Sequence, residues 1–513
     1  MQIYPIHPSF TAGASFELAV QPDRRFSIAI YQQQDDDALT SLCGVVVTGK
    51  NGVSANLVDG KYVFESTGNS APMRFDEDWN WPTLTLRPNA SSLHSGAYVA
   101  IAYEVDAAGK PADELGRSCA AHRPVFAAKP QSDSMALVIA RPRTPAAALA
   151  YIIPTATYHA YNSTGGGSFY DDRIHRYRAA NRVSLRRPGG GLGARLGEPV
   201  DPYDTRSMRQ QFAHWDAKFI RWLHKERIAC DFYTDLDLHN ATTLDLTHYR
   251  CMLSVGHHEY WSEEMRAHVA YFVTQGGNVA VFSGNTCYRP IRFIGSEPGQ
   301  PTEMRKLADN WDVLKEQIDL DPRVSGNESN LIGLTYKHGG GHWGTWSRWR
   351  RRWVKCERQA IGFTVKQPEH WVFAGTQLQK DETFGAEDRL VGYEADGIPP
   401  DWPDDAFETL AVTDPLTGWE MGGAGAIGIF RPLLRDGRRS AGQVFNVGTT
   451  DWARVLGDRA AKSHGVVEQI TRNVIRKYTG TEETNALQQG YAGHEIADGA
   501  NAAGEIALHT DAG

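Results

Sequence analysis

The stretch Met252–Trp261, which reads M-L-S-V-G-H-H-E-Y-W, places ionisable side chains directly after an apolar run. His257 and Glu259 follow Gly256, where a buried strand would end. A strand-to-helix turn that forms a covalent acyl-enzyme normally carries Ser or Cys, which this turn lacks. An imidazole and a carboxylate suit metal binding or general acid–base catalysis instead. The structural alternative is a His–Glu pair that only stabilises the turn.

A second candidate segment is a glycine loop flanked by three tyrosines, Tyr158, Tyr161 and Tyr170. A phenol normally has a pKa near 10, but a hard trivalent cation can hold it as a phenolate. Aromatic packing around the loop is the structural alternative, and tyrosines alone favour it.

Polar side chains also follow two further predicted strands. Asn285 stands in the sequence S-G-N-T and could hydrogen-bond a substrate carbonyl, or could form an Asx-turn or a helix cap. Glu394 ends the sequence L-V-G-Y-E and supplies another carboxylate. Each is weak evidence alone, and several polar groups at the strand ends of one sheet make a better case.

The elements that must position these residues alternate between strand and helix from about residue 131. Apolar runs predict buried strands, and helical spacing with glycine at the C-terminal end predicts helices between them. The predicted strands are Met135–Ala140, Ala147–Pro154, Cys230–Thr234, Tyr249–Val255, Asn278–Ser283 and Gln443–Gly448, and the predicted helices are Trp215–Arg227, Glu263–Gln275 and Gly465–Tyr478. This alternation predicts a doubly wound, mostly parallel sheet, in which ligands bind beyond the carboxyl ends of the strands.

Residues before about 130 have a different pattern. Short runs rich in β-branched and aromatic residues, separated by turns such as Asp59-Gly60, predict an antiparallel β-sandwich. We therefore expect a β-sandwich domain over 1–130, an α/β catalytic domain over 131–481 and a disordered tail over 482–513.

The composition argues against some functions. The chain has 513 residues, a net charge of −8 and a pI of about 6.1, which does not favour nucleic acid as a partner. A Trp/Arg cluster over 343–353 could stack on bases, but a strand pair with its basic residues in solvent is the favoured interpretation. The six cysteines lack zinc-site spacing, and no signal peptide or membrane-length apolar run is evident, so we expect a cytoplasmic protein.

Taken together, five segments resemble the large (β) subunit family of N,N-dimethylformamidase. They are S-V-G-H-H-E-Y-W-S, A-Y-N-x-x-G-G-G-S-F-Y, G-G-N-V-A-V-F-S-G-N-T, H-W-V-F-A-G-T and F-N-V-G-T-T-D-W. The resemblance covers roughly residues 135–480 and is specific as a set. It implies a fold like that of class I glutamine amidotransferases.

The resemblance implies a mononuclear iron(III) enzyme that hydrolyses a linear amide. The family holds iron with two tyrosines and one glutamate, which match Tyr161 (with Tyr158 as the alternative), Tyr170 and Glu259. Its remaining site residues match His257, Asn285 and Glu394. By this resemblance, Glu394 is the general base or proton shuttle, and Asn285 and His257 orient the substrate and support Glu259.

Two alternatives remain at this stage. One is an enzyme of the same fold that uses another metal or cleaves another C–N bond. The other is a non-catalytic module that binds a sugar or small amide in an aromatic pocket. We expect a small amide as ligand, neither nucleic acid nor membrane as partner, a homo-oligomer as one possible assembly, and no counterpart of the family's separate small subunit.

Overall fold

The structure is a computed structural model that describes most of residues 1–480. The ranges outside the description are 35–45, 51, 59–60, 69–73, 89–93, 121–133, 171, 173, 175–179, 190–191, 193–211, 296–298, 318–325, 343–345, 350–351, 356–359, 404, 435–436 and 481–513. The described chain is a mixed α/β structure with several sheets, many strands and fewer helices.

Two sheets near the N-terminus face each other across one apolar core, which includes Leu18 and Leu86 from the first sheet and Phe26 and Ala100 from the second. In spatial order the four-stranded sheet is β1 (Ile3–Pro5), β3 (Phe16–Val20), β8 (Thr83–Arg87) and β5 (Val46–Lys50). The six-stranded sheet is β2 (Ser9–Thr11), β10 (Met135–Arg141), β9 (Gly96–Glu104), β4 (Arg24–Gln32), β7 (Lys61–Ser66) and β6 (Val53–Val58). Alternating apolar residues explain why each strand has one face in this core.

A nine-stranded sheet forms the centre of the molecule. Its spatial order is β13 (Asp231–Thr234), β11 (Leu149–Ile153), β14 (Cys251–His257), β16 (Asn278–Gly284), β27 (Val444–Asn446), β26 (Ala426–Phe430), β25 (Phe407–Val412), β22 (Phe363–Val365) and β23 (Thr383–Phe384). The first five strands are parallel, and the strands from β26 onward add antiparallel neighbours. The parallel half is buried on both faces, which matches its continuous apolar runs.

Helices cover both faces of the parallel half. Over the described chain as a whole, the helices are α1 (Glu114–Ala120), α2 (Thr155–Tyr161), α3 (Asp216–Lys225), α4 (Asp235–His239), α5 (Glu263–Thr274), α6 (Trp311–Lys315), α7 (Ser329–Ile332), α8 (Trp452–Leu456) and α9 (His464–Thr479). Leu253 and Phe282 share one core with α3, α8 and α9. Met252 and Val281 share the opposite core with α4 and α5. Adjacent residues of one strand therefore enter different cores.

Smaller sheets complete the fold. One has the order β12 (Arg182–Ser184), β18 (Glu303–Lys306), β17 (Arg289–Ile294) and β15 (Tyr260–Ser262), and two strand pairs are β19 (Thr335–Gly341) with β24 (Glu394–Gly397) and β20 (Trp346–Trp349) with β21 (Arg352–Lys355). The Trp/Arg cluster does form a strand pair, although its side chains lie outside the described residues. Short 3₁₀ turns occur at Leu246–His248 and Trp371–Phe373. Within the described ranges, no helix has both the length and the apolar character needed to cross a bilayer.

Two placements differ from the sequence-based expectation. Strand β10, expected with the α/β region, pairs with β9 and β2 instead, because its apolar residues complete the sandwich core. Glu394 begins a strand rather than following one. The domain division at residue 130 stays a prediction, and the expected tail over 482–513 lies outside the described residues.

Candidate active site

The turn that carries Glu259 is shaped by Gly256. All seven residues of β14 are buried, and Gly256 has a φ of +71°. A Cβ at this position would lie 2.5 Å from the Cβ of Trp215, so only glycine fits. Strand β14 ends at His257 and β15 begins at Tyr260, which leaves Glu259 on a two-residue link between strands.

A buried hydrogen-bond chain ties this turn to helix α2. His258 Nε2 lies 2.6 Å from Asp235 Oδ1, and the Ser254 hydroxyl lies 2.9 Å from His258 Nδ1. The second oxygen of Asp235 accepts from the backbone N–H of Ala156, at 2.7 Å. Since these Ser, His and Asp side chains are fully buried, the chain positions the turn rather than presenting a nucleophile.

Helix α2 and the glycine loop bring two phenols onto Glu259. The Tyr161 hydroxyl donates to Glu259 Oε2 at 2.9 Å, and the Tyr170 hydroxyl lies 3.1 Å from both carboxylate oxygens. The two phenol rings stack with centroids 4.3 Å apart. The Thr157 hydroxyl accepts from the Glu259 N–H at 3.0 Å, which holds the turn against α2. Three oxygen-bearing side chains from three separate segments therefore converge.

Tyr158, the alternative to Tyr161, points elsewhere. Its hydroxyl donates to Asp216, which also accepts from Tyr151 at 2.8 Å. Tyr158 and Tyr161 are three residues apart on α2, yet their hydroxyls have different partners. Between these two tyrosines, the geometry favours Tyr161 as the neighbour of Glu259.

His257 joins Glu259 to a second carboxylate. Its Nε2 lies 2.8 Å from Glu394 Oε2 and 3.4 Å from Glu259 Oε2. Asn285 Nδ2 donates to Glu394 Oε2 at 3.3 Å. All six residues expected from the sequence are therefore in one connected group, although their chemical roles stay predictions.

Burial and charge set the protonation of this group. Desolvation, followed by the negative charge of Glu259, raises the pKa of Tyr161 well above 10. Tyr170 is 42% exposed, but its hydroxyl lies against Glu259, and desolvation of that hydroxyl raises its pKa in the same direction. Burial alone would lower the pKa of His257, but the charges of Glu394 and Glu259 outweigh it and raise the pKa. In this arrangement the phenols are neutral donors to the carboxylate.

Sequence reasoning missed three side chains that contact this group. Arg289 Nε donates to Glu259 Oε1 at 3.1 Å, the Tyr260 hydroxyl donates to the Tyr170 hydroxyl at 2.6 Å, and the Tyr393 hydroxyl lies 3.0 Å from His257 Nδ1. Tyr260 directly follows Glu259, and Tyr393 directly precedes Glu394, so proximity in sequence could have indicated both tyrosines. Arg289 has no such signal, because its partner is 30 residues away.

The donor set is suited to a hard cation. Within the described ranges, no three His, Cys, Asp or Glu side chains are grouped to hold a metal ion. The group at Glu259 is of another kind, since two of its three converging side chains are phenols. Hard trivalent cations prefer such oxygen ligands, and two phenolates with one carboxylate would balance a charge of +3. The residues present therefore fit iron(III).

Comparisons with known proteins give one informative match. The sequence model of a family described as "N,N-dimethylformamidase beta subunit-like, C-terminal" matches residues 48–465, most of the chain. No curated protein matches significantly. Among solved structures, a cold-adapted beta-galactosidase from Rahnella sp. R3 aligns with 71% of this chain at 11% identity and a TM-score of 0.30. The alignment spans about a third (34%) of that protein's length.

Proposed function

Since this chain belongs to the N,N-dimethylformamidase beta subunit-like family, we propose that it hydrolyses the C–N bond of a small linear amide. The observation that carries the proposal is the convergence of Tyr161, Tyr170 and Glu259 within 3.1 Å. A second carboxylate, Glu394, is linked to them through His257. A purely structural carboxylate would need neither two phenols nor a second carboxylate nearby.

We further propose that Tyr161, Tyr170 and Glu259 hold one iron(III) ion as a Tyr₂Glu set. When bound there, the ion would polarise the amide carbonyl and lower the pKa of a bound water. Arg289 pairs with Glu259 Oε1, which leaves Oε2 facing Tyr161 and His257. This difference between the two oxygens supports binding of the cation through Oε2.

The other residues have roles that follow from their contacts. Glu394 is the general base: it takes a proton from the attacking water and returns it to the departing nitrogen, giving a carboxylic acid and an amine. His257 holds a proton at Nε2 between the two carboxylates, and the Tyr393 hydroxyl fixes its ring from Nδ1. Asn285 orients the substrate beside Glu394.

The architecture supports two proposals of wider scope. Parallel strands with helices on both faces support a doubly wound arrangement like that of class I glutamine amidotransferases. The second proposal is that the ligand binds beyond the carboxyl ends of β14 and β16, where ligands bind in doubly wound sheets. His257 and Asn285, which lie at those ends, support it.

Tyrosine variants with metal analysis test the proposal. Isolated protein is expected to contain about one iron per chain and to show a visible tyrosinate charge-transfer band. Loss of a second-sphere partner typically costs roughly 10–100-fold in metal affinity. Tyr161→Phe and Tyr170→Phe remove ligands themselves, so we expect larger losses, a changed band and loss of amidase activity.

Tyr158→Phe is the matched control, because it removes a buried phenol from the same helix that contacts Asp216 instead. Its band and iron content should match those of the wild type. Full amidase activity in iron-free protein would overturn the iron scheme. Absence of any amide hydrolysis by iron-loaded protein would overturn the enzymatic proposal and favour a binding module.

A further inference from the structure

Tyr260 contacts one of the two phenols beside Glu259. Its hydroxyl lies 2.6 Å from the Tyr170 hydroxyl, which in turn lies 3.1 Å from both oxygens of Glu259. An ionised carboxylate accepts hydrogen bonds and donates none, so the single proton of the Tyr170 hydroxyl must point at Glu259. The Tyr170 oxygen is therefore the acceptor of the shorter hydrogen bond, and Tyr260 is its donor.

The ring of Tyr260 is held in place by its neighbours. Tyr260 is buried and is the first residue of β15, where it pairs in register with Arg289 of β17. Its ring centroid lies 5.4 Å from that of Phe169, the residue that directly precedes Tyr170. The same local packing therefore holds both members of the phenol pair, and the Tyr260 oxygen stays beside that of Tyr170.

The two phenols beside Glu259 differ in this contact. In the described part of the chain, the hydrogen bond of the Tyr161 hydroxyl is the one that it donates to Glu259. Tyr170 also contacts Glu259 but accepts a hydrogen bond from Tyr260 as well. Hydroxyl groups that donate to an ionised oxygen lie about 2.5–2.7 Å from it. The Tyr260–Tyr170 separation of 2.6 Å is already in that range, so a phenolate at Tyr170 would need no rearrangement of Tyr260.

We propose that Tyr260 is a positioning residue that donates a hydrogen bond to the Tyr170 phenolate when the cation is bound, which makes Tyr170 a weaker electron donor than Tyr161. This inference rests on the Tyr₂Glu iron(III) set proposed above. The hydrogen bond withdraws charge from the Tyr170 oxygen, because its lone pair is shared with the Tyr260 proton. A weaker donor leaves more positive charge on the metal, which favours polarisation of an amide carbonyl.

Tyr260→Phe tests the proposal, because it removes the donor and keeps the ring. Side chains that hydrogen-bond a metal ligand typically contribute roughly 10–100-fold in metal affinity, so we expect iron(III) binding to weaken by about that factor. Without the hydrogen bond the Tyr170 phenolate holds its electrons less tightly, so the tyrosinate charge-transfer band should move to longer wavelength. Competition with citrate measures the affinity. Resonance Raman spectra should show two distinct tyrosinate C–O vibrations in wild type that move closer together in the variant.

Tyr233→Phe is the matched control. Tyr233 and Tyr249 form a second buried phenol pair, also with 2.6 Å between the hydroxyl oxygens, and its carboxylate partner is Asp231 rather than Glu259. Iron affinity, band and vibrations of this variant should match those of wild type. Melting temperatures of both variants measure any general loss of stability. Equal changes in Tyr233→Phe and Tyr260→Phe would reflect a general effect of phenol removal and would overturn the inference.

A double variant shows whether Tyr260 acts through Tyr170. Tyr170→Phe should itself weaken iron binding, and the addition of Tyr260→Phe should change the residual affinity and the band no further. A band that survives in Tyr170→Phe but disappears in the double variant would mean that Tyr260 itself binds the metal. That result would overturn the assignment of Tyr260 as a hydrogen-bond donor to a ligand.

Three results distinguish the role of Tyr260 from the amidase proposal. Wild-type iron affinity, band and vibrations in Tyr260→Phe would overturn the role of Tyr260 and leave the iron amidase proposal intact. If iron-loaded wild type shows the band but hydrolyses no amide, the amidase proposal is overturned, while the expected changes in Tyr260→Phe would still support the role of Tyr260. Full amidase activity in iron-free protein would overturn the iron scheme and this inference together.

Discussion

At the residue scale, neighbours decide how each buried carboxylate behaves. Asp216 is fully buried and accepts hydrogen bonds from Tyr151 and Tyr158, both neutral phenols. Desolvation raises its pKa to about 7, against the smaller opposing effect of those two hydrogen bonds. Glu259, in contrast, has the cation Arg289 at 3.1 Å. The two buried acids therefore differ in their nearest partners, which are neutral phenols for Asp216 and a cation for Glu259.

The pKa of Asp216 leads to a pH prediction. An unfolded aspartate titrates near 3.9, so between about pH 4 and pH 7 the folded protein binds more protons at this site. This contribution to the free energy of unfolding therefore falls as pH rises through that window, by at most about 1.4 kcal/mol per pH unit. Asp216→Asn should remove it, so the variant should lose stability relative to wild type as pH is lowered.

Urea unfolding of both proteins from pH 4.5 to 7.5 measures this difference. Asp245→Asn is the control, because hydrogen bonding by Thr247 lowers the pKa of this exposed carboxyl. The difference in the free energy of unfolding between wild type and Asp245→Asn should change only slightly with pH, and in the opposite direction. A pH-independent difference between wild type and Asp216→Asn would show that Asp216 is not protonated in the folded state.

At the scale of elements, a single buried cation organises the tyrosine-bearing segments. Arg187 is fully buried and donates only to backbone carbonyls among its described hydrogen bonds, namely those of His159, Thr164, Gly167 and Ser184, at 2.8–3.1 Å. Its burial lowers its pKa to about 9. Helix α2 has only seven residues and is too short to be stable alone. Arg187 therefore fixes the helix that ends at Tyr161 against the loop that leads to Tyr170.

Arg187→Met should be strongly destabilising, because it leaves these buried carbonyls unpaired. We expect a loss of roughly 3–5 kcal/mol in the free energy of unfolding, together with weaker iron retention. The control is Arg182→Met, whose side chain is 44% exposed and pairs with Asp76, and which should cost at most about 1 kcal/mol. Denaturant titrations give both values, and equal losses would contradict the assigned role of Arg187.

At the scale of the whole molecule, the N-terminal sheets and the central sheet share a core. Val99 and Leu137 of the six-stranded sheet belong to the same apolar cluster as Tyr151 and Leu253 of the nine-stranded sheet. The Ser9 hydroxyl also donates to Asp237 at 2.7 Å. An apolar contact of this kind couples the stabilities of the two parts.

We therefore expect one cooperative unfolding transition for the whole protein. Leu137→Ala should lower the free energy of unfolding by about 2–5 kcal/mol and move the entire transition. Leu57→Ala, at a position 66% exposed, should change it by no more than about 0.5 kcal/mol. Calorimetry that resolves two endotherms, only one of them moved by Leu137→Ala, would refute the coupling.

Local patterns were sufficient for most of the central elements. The predicted helix over Glu263–Gln275 and the predicted strand over Asn278–Ser283 agree with α5 and β16 to within one residue. Period and capping signals are local, so they can be read from sequence. Helix α2 was not predicted, because its threonines, tyrosines and histidine favour no helix until burial on both sides imposes one.

The sequence by itself determined which residue types were available and which of them follow strands. It also determined the family, through several segments that match as a set. It could not decide between Tyr158 and Tyr161, because both stand on one short segment with equivalent chemistry. Tertiary structure separated them: Asp216, from α3, accepts from one hydroxyl, and Glu259, from the link between β14 and β15, accepts from the other. The contacts of Arg187, Arg289 and Asn285 likewise could not be read from the sequence, because their partners are distant along the chain. Charge and hydrogen bonding depend on distance in space.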